Sequence, residues 1–408
     1  MRPLDAPLAI EGGTPIRRAF LPFGRPRISE EEIAAVADVL RSGWLGMGER
    51  TLEFERAFAD YCGAGHAVAV SSCTAGLHLS LAALDVGPGD EVVTTPMTFA
   101  ATVNAILAVG ATPVLVDIDP RTLNVEPAAV AAAITPRTRA LLPVHFGGRA
   151  LDLTGLGALA RERGLSLVED AAHAVGARHA GARVGGHGHL VSFSFYPNKN
   201  MTTIEGGMVT TNDAALAESL ALLRIHGLSN DAWKRYHTRR LVTSQVVRFG
   251  FKANLTDVQA ALGLGQLARL EEFLALRERY AAIYDEALAD LPLDRQARPE
   301  PGADRHGLHL YVVLLRLDEL TCDRDQVVRA LRAENIGVGL HYQAIHEHPY
   351  YAGTLGYARG AFPVAEDVSA RTLTLPLGPG MDEDDLRDVV HALRCVLTRY
   401  RAPAAERS

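Results

Sequence analysis

The sequence predicts an α/β protein, with a mostly parallel sheet flanked by helices and a smaller α+β domain after it. Three observations predict this. Short Val/Leu-rich runs alternate with segments of helical apolar spacing through the first two thirds of the 408 residues, the rhythm of repeated strand–helix units. These runs read as strands buried inside a domain with helices on both faces. After the Pro-rich turn LPLDRQARPEPGADR the pattern changes, as expected where one folding unit gives way to another.

Taken in order, ISEEEIAAVADVLRSG opens with an acidic turn and has helical spacing, and Gly43 ends it. TLEFERAFADYCG is a second helix. AVAVSS is a strand feeding the helix AGLHLSLAALDV, and EVVTT, TPVLVDI, ALLPVHF and LSLVED are further strands. Helices are expected at Ala100–Val109, Glu126–Ile134 and Leu153–Arg163, and strands at His189–Phe195 and Met208–Thr211 extend the sheet. One long helical stretch is expected from Thr256 to Leu288. The strand LHLYVVLLRL, the helix DQVVRALRAEN and a last helix from Glu383 to Arg399 form the second unit. The expected boundaries are 12–270 for the large domain and 271–400 for the small one, with 1–11 and 401–408 as flexible termini.

Composition narrows the function. Hydrophobic residues at 48% and charged residues at 22% are ordinary for a soluble enzyme. A net charge of −7 gives no support for nucleic-acid binding. Cys62, Cys73, Cys322 and Cys395 form no CxxC and read as reduced thiols of a cytoplasmic protein. The N-terminus, with Asp5 and Glu11, is not a signal peptide. Residues 92–116 are nearly uncharged, but Pro96, Gly110 and Pro113 break the run into strand, helix and strand, so no membrane span is expected.

Ligands of open parallel sheets bind beyond the carboxyl ends of the strands, and the informative residues cluster there. Ser71-Ser72-Cys73-Thr74-Ala75-Gly76 joins a strand to a helix, a place where backbone N–H groups suit a phosphate, or where a hydroxyl merely caps the helix. Phe99 follows another strand end and either stacks on a flat ring or fills core. Asp170 ends a buried strand, where its charge needs a partner: a protonated pyridine nitrogen, a helix cap or a metal. His173, three residues on, can hydrogen-bond a phenolic oxygen or serve structure alone. Lys199 is one of three lysines, with Lys234 and Lys252. It sits in a polar turn after HLVSFSF, behind which lie Ser192 and Ser194. An amine so placed can form an imine with an aldehyde cofactor. Lys234 lies in charged WKRY and Lys252 precedes a helix, so neither competes for that role. Together these residues match the needs of pyridoxal phosphate: phosphate cradle, ring stacker, acid for the ring nitrogen and Schiff-base lysine.

The chain also resembles the DegT/DnrJ/StrS family of nucleotide-sugar aminotransferases, from about Leu21 to Leu397. The resemblance is carried by LPFGRPRISEEEI, Ser42-Gly-Trp44, VSSCTAGLHLSL, TPMTFAATVNA, VEDAAHAVGA, SFSFYPNKNMTTIEGG, KANLTDVQAA and IGVGLHYQAIHEHPYY. It is most like enzymes that aminate a UDP-4-ketopentose to 4-amino-4-deoxy-L-arabinose. It implies the fold type I architecture with a seven-stranded sheet, and a cycle in which glutamate donates an amine that a nucleotide-linked keto-sugar receives. Carried over by position, Lys199 is the internal aldimine lysine and Asp170 keeps the pyridine nitrogen protonated. Phe99 stacks on the ring, Thr74, Ala75 and Ser194 hold the phosphate, and His173 contacts the 3′-oxygen region. Asn254 resembles an asparagine that reaches the phosphate from a neighbouring subunit, implying a homodimer. Trp44, His341, Tyr342 and His346 are the residues expected on the sugar side.

His346-Glu-His348 and His187-Gly-His189 are not spaced at i, i+4 and gain no support from an Asp, Glu or Cys set, so no metal is expected. The chain departs from the family pattern at Leu45-Gly-Met-Gly48, in the basic, Val-rich RRLVTSQVVRFGFKAN, and at Leu308, where an aromatic is common. These departures lie around the acceptor side, so they bear on which sugar is used.

Overall fold

The computed structural model describes residues 3–229, 243–300 and 302–403. Helix α1 (Glu30–Ser42) is opened by a capping box, in which Ser29 Oγ accepts from Glu32 N, and closed by Gly43 at φ 75°. Helix α2 (Glu49–Cys62) leads into β1 (His66–Val70) and α3 (Cys73–Ala83). The units β2 (Glu91–Thr94) and α4 (Ala100–Ala108), β3 (Thr112–Leu115) and α5 (Pro127–Ala132), and β4 (Thr138–Leu141) and α6 (Leu153–Arg163) follow, then β5 (Ser166–Asp170). A two-stranded ribbon, β6 (Arg178–His179) with β7 (Ala182–Arg183), precedes β8 (Leu190–Ser194), β9 (Gly207–Thr211) and α7 (Ala214–Leu223).

These strands form one seven-stranded sheet in the order β1-β9-β8-β5-β4-β2-β3, and only β9 runs against the rest. Successive residues along a strand feed opposite cores. Ala69, Val93, Leu141, Leu167 and Val191 enter the core with Phe54, Phe58 and Leu156. Their neighbours Val68, Val92, Ala140, Val168 and Leu190 enter a second core with Leu77, Ile106 and Leu220. Both faces are therefore covered, which is why these strands are continuously apolar. Each fully buried Leu, Val or Phe contributes roughly 1.5–3 kcal/mol. Residues 92–116 are β2, α4 and β3, and among the described residues no helix is long and apolar enough to cross a membrane.

Helices α8 (Asp257–Ala268) and α9 (Leu270–Ala287) replace the single long helix expected from Thr256 to Leu288. The break falls at Arg269, at φ −102° and ψ 2°. Its guanidinium is held by Glu32 and Glu272, at 3.5 Å each, and lies over the Phe273 ring. The bend lets α8 bury Ala260 in the large core while α9 delivers Tyr280, Ala281 and Tyr284 to a separate one. That separate core covers an antiparallel sheet of β10 (Leu293–Arg295), β11 (Tyr311–Leu315) and, later in the chain, β12 (Thr372–Leu375). Helices α10 (Arg324–Ala333), α11 (Pro349–Leu355), α12 (Pro363–Arg371) and α13 (Glu383–Arg399) complete this part.

The N-terminal segment differs from the loose terminus expected for 1–11. Leu8 is fully buried in the core of the small sheet. The buried Glu334 carboxylate accepts from Ala9 N at 2.8 Å and Ile16 N at 2.9 Å, pinning the segment there. Near the other end Ala402 is also buried, its N–H donating to Glu319 O.

A seam of backbone bonds joins the turn Phe146–Gly148 of the large sheet to the approach to β11. Gly307 N donates to Gly148 O at 2.7 Å and Leu310 N to Gly147 O at 3.1 Å. Arg178 and Arg305 exchange both of their backbone bonds nearby. Gly148, at φ 102°, is glycine for two reasons. A methyl group there would lie 2.8 Å from His173 O, 2.9 Å from Leu308 N and 3.0 Å from His309 N.

Candidate active site

Strands β1, β2, β5 and β8 point their carboxyl ends at one cleft of about 430 Å³. Its floor is Asp170, the last residue of β5. Oδ2 accepts from Thr102 Oγ1 at 2.7 Å, and Oδ1 accepts from Ala172 N at 3.1 Å with Cys73 Sγ at 3.8 Å. These donors hold a buried carboxylate aimed at the cleft, where charge-assisted bonds offset its desolvation. Glu169, one residue earlier, points through the opposite face of the sheet. There it accepts from His145 Nε2 at 3.0 Å and His189 Nδ1 at 2.6 Å.

Lys199 lies in the turn after β8, its N–H bonded to Tyr196 O at 3.0 Å. As a residue it is only partly covered, but its amine turns inward to meet His309 Nε2 at 3.2 Å. Burial lowers the amine from its ordinary 10.5 to about 8, against the pull of Cys73 and Asp170 and helped by Arg277. Such an amine is a far better base and nucleophile at neutral pH than an exposed lysine.

The wall opposite is aromatic. His173 Nδ1 accepts from Gly147 N at 3.3 Å, and His173 Nε2 lies 3.0 Å from the Tyr342 hydroxyl. The two rings stack with centroids 6.0 Å apart. Desolvation holds His173 well below the usual histidine range, so it is a neutral hydrogen-bonding group. His341 is fixed by Thr374 Oγ1 at 2.9 Å. Phe99 caps α4 at the rim, 6.0 Å from the Tyr342 ring. At 61% exposure it fills no core.

The far corner is the N-terminus of α3. Ser72 Oγ accepts from Ala75 N at 3.1 Å, so Ala75 serves the cap and does not line the cleft. Thr74 and Ser194 do line it. Gly207 of β9 passes beneath this turn so closely that a methyl group would lie 2.6 Å from Ser72 C and 2.7 Å from Cys73 N. Glycine therefore lets the sheet edge and the helix end form one cradle, which suits a phosphate.

Three expected site residues lie elsewhere. Trp44 and Asn254 line a second cleft of about 510 Å³ with Lys252, whose Nζ donates to Asn254 Oδ1 at 2.6 Å. His346 is buried 2.9 Å from the Glu366 carboxylate and edge-on to Phe362. The short 3-10 turn Ile345–Glu347 directs it into the core while His341 and Tyr342 face the cleft. Lys234 falls outside the described residues. His187 Nε2 donates to His179 O and His189 serves Glu169, and among the described residues no group of three His, Cys, Asp or Glu is arranged to hold a metal ion.

Sequence reasoning did not single out Cys73, Thr102 or His309 as cleft or contact residues. Cys73 lies inside the small-residue loop already taken for a phosphate site, and His309 follows Leu308, a position where the chain departs from its relatives. Thr102 carried no signal, because a threonine in an apolar helix is unremarkable in sequence.

Acid, inward amine, neutral histidine, exposed aromatic and glycine-floored cradle fit pyridoxal phosphate in charge and in shape. Residues 26–394 match the DegT/DnrJ/EryC1/StrS aminotransferase family. Among curated proteins the chain is 45% identical over 383 residues to the spore coat polysaccharide biosynthesis protein SpsC of Bacillus subtilis, covering 93% of this chain and 98% of that one. Among solved structures it is similar to a sugar aminotransferase, Spr1654 of Streptococcus pneumoniae, in its PLP form, with TM-score 0.85, 30% identity and coverage of 93% and 99%. It is also similar to DesI in the presence of its TDP-sugar product, with TM-score 0.85, 35% identity and coverage of 96% of each chain. With fold type I architecture and this degree of likeness along nearly its whole length, the chain belongs to the DegT/DnrJ/EryC1/StrS family and is a pyridoxal-phosphate-dependent aminotransferase.

Proposed function

We propose that the enzyme moves an amino group from glutamate to the keto carbon of a nucleotide-linked sugar, at C4 of a UDP- or dTDP-linked substrate, in the cytoplasm. The observation that carries this reading is that the desolvated Lys199 amine and the Asp170 carboxylate face the same cleft. When bound, pyridoxal phosphate supplies the carbonyl that exchanges for an amine and a ring that takes up electron density. Asp170, held by Thr102 and Ala172, keeps a proton on the ring nitrogen. Lys199, its amine brought down to about 8 by burial, takes a proton from the donor carbon and returns it. His173 hydrogen-bonds the ring oxygen, Phe99 covers the ring face from the rim, and Thr74 and Ser194 hold the phosphate at the head of α3. His341 and Tyr342 line the side on which the sugar would sit. The likeness to DesI, solved with a TDP-sugar product, supports a nucleotide sugar.

The working unit in this reading is a homodimer, with Asn254 of one copy reaching the phosphate of the other. The exposed apolar side chains of Val246, Val247 and Phe249, in the segment that leads to Lys252 and Asn254, support it, at 69%, 55% and 77% exposure. Mixing inactive Lys199→Ala with inactive Asn254→Ala chains should restore part of the activity, and no restoration would refute the shared site. The substrate is tested by assaying UDP-4-keto, dTDP-4-keto, dTDP-3-keto and inosose acceptors with glutamate. Preference for a 4-keto sugar supports the proposal; turnover of only the 3-keto sugar or inosose overturns it.

A further inference from the structure

We propose that His309 is a positioning residue for the proton on Lys199: its Nε2–H donates to the unshared pair of the amine and so favours the free base over the ammonium when Lys199 is not joined to the cofactor. This rests on the reading that Lys199 is the cofactor lysine.

The argument begins with the unpaired atom. His309 is 4% exposed, its Nε2 lies 3.2 Å from Lys199 Nζ, and its Nδ1 is buried with no hydrogen-bond partner among the described residues. If Lys199 were an ammonium donating to Nε2, the ring proton would sit on Nδ1, a buried donor without an acceptor. The other tautomer leaves only a lone pair without a partner, which is the cheaper orphan. A doubly protonated ring would be a buried cation with its Nδ1–H unpaired, and beside an ammonium it would set two cations against each other. Burial, with Lys199, His173, Arg277 and His341 nearby, drives His309 well below the usual histidine range, in keeping with a neutral ring.

Neighbouring rings cannot take this role. The Gly147 N–H occupies His173 Nδ1, so the His173 proton is on Nε2 and points to Tyr342. His341 is turned to Thr374. The other titratable or charged groups facing the amine are Cys73 from α3, Asp170 from β5 and Arg277 from α9. His309 is the ring left to meet it.

The fold also fixes His309 from behind. The fully buried Arg277 donates through Nη1 to Leu308 O at 3.1 Å, His309 O at 3.2 Å and Leu377 O at 2.9 Å. Leu308 adopts φ 47°, and its N–H is taken by His306 Nδ1 at 2.9 Å. Gly148 makes room for the His309 backbone. A buried arginine with no carboxylate partner among the described residues is a costly device for holding three carbonyls. It makes sense if the residue they carry must keep a set distance from Lys199.

The test uses full-length, cofactor-free protein and reads the amine directly. Brief reductive methylation of Lys199 by formaldehyde and cyanoborohydride is followed by peptide mass spectrometry across pH 6–10. Wild type should reach half-maximal labelling near pH 8. His309→Gln, which keeps an N–H donor, should stay close to that value. His309→Phe, which has no donor, and His309→Asn, whose amide N–H is one methylene short of the Nε2 position, should each move the midpoint up by about one unit, a roughly tenfold loss of free base at pH 7. An unchanged or lowered midpoint in both variants overturns the proposal, as does an equal shift in His309→Gln. Borohydride trapping of bound cofactor on a residue other than Lys199 would refute the cofactor-lysine reading on separate grounds.

Discussion

Replacing Glu169 by Gln should destabilise the protein by about 3 kcal/mol at neutral pH without touching the cleft directly. Glu169 is fully buried, and His145 and His189 both donate to it. The donor assignment at His145 is forced, because its Nδ1 already accepts from Leu151 N at 3.1 Å. A glutamine can accept one of these bonds but turns its own N–H₂ towards the other ring, leaving two buried donors in opposition. Breaking one partner of such a network costs about 2–4 kcal/mol. An independent route gives a similar figure. Burial pushes the Glu169 carboxyl up, but the two histidine hydrogen bonds outweigh it and hold the group at about 2, against an ordinary 4.5. That difference corresponds to about 3 kcal/mol.

The sign follows from the depressed value. The contribution is complete above pH 4.5 and is lost as pH falls from there towards 2, as the folded protein's carboxylate takes up a proton. Thermal unfolding followed by circular dichroism should show Glu169→Gln melting roughly 3–4 °C below wild type at pH 7. The gap should narrow on acidification below about pH 4.5. Equal melting temperatures at pH 7, or a gap that widens in acid, would refute the reasoning.

Other substitutions probe the site and its supports. Gly148→Ala forces a methyl group against three backbone atoms at a left-handed φ and should cost about 2–4 kcal/mol; wild-type stability in a denaturant titration would show that the seam yields. Lys199→Met should stabilise the cofactor-free protein by about 2–3 kcal/mol at pH 7, because the desolvated ammonium is held at about 8 in the fold and 10.5 when unfolded. Wild-type stability should then rise with pH between those values and meet the variant near 10.5; a destabilised variant at pH 7 would contradict the shift. Asp257→Ala removes the carboxylate that accepts from Gly48 N, Arg50 N, Thr51 N and Thr51 Oγ1 at the start of α2. It should cost about 2 kcal/mol and free the Trp44 turn, seen as red-shifted emission in a Trp233→Phe background; an unchanged spectrum and melting curve would count against that coupling.

Much of the architecture was legible because burial on both sheet faces leaves a local trace. The Val/Leu runs at β2, β4, β5 and β8 and the small-residue loop before α3 are consequences of position that any single segment displays. The place of Asp170 was readable for the same reason, since a charge at the end of a buried strand is unexpected without a partner, and Lys199 drew notice as an amine in the polar turn after β8. The break at Arg269 was not, because no Gly or Pro marks it and its cause is the separation of two cores. His346 was placed on the sugar side by its neighbours in sequence, yet a three-residue turn sends it to Glu366. His309 meets Lys199 across 110 residues of chain, and local pattern carries no information about such a meeting. Leu8 was taken for part of a loose tail because its anchor, Glu334, lies 325 residues from the Ala9 amide it holds.

The seam between the Gly147–Gly148 turn and the approach to β11 has a mechanical corollary. A clamshell swing of the smaller lobe would have to part the Gly307–Gly148 and Leu310–Gly147 bonds and the reciprocal Arg178–Arg305 pair together, at roughly 1 kcal/mol for each bond. It would also drag His309 off Lys199 on every turnover. Movement of side chains at the lip such as Phe99 and Tyr196, both exposed, would admit a substrate and spare these bonds.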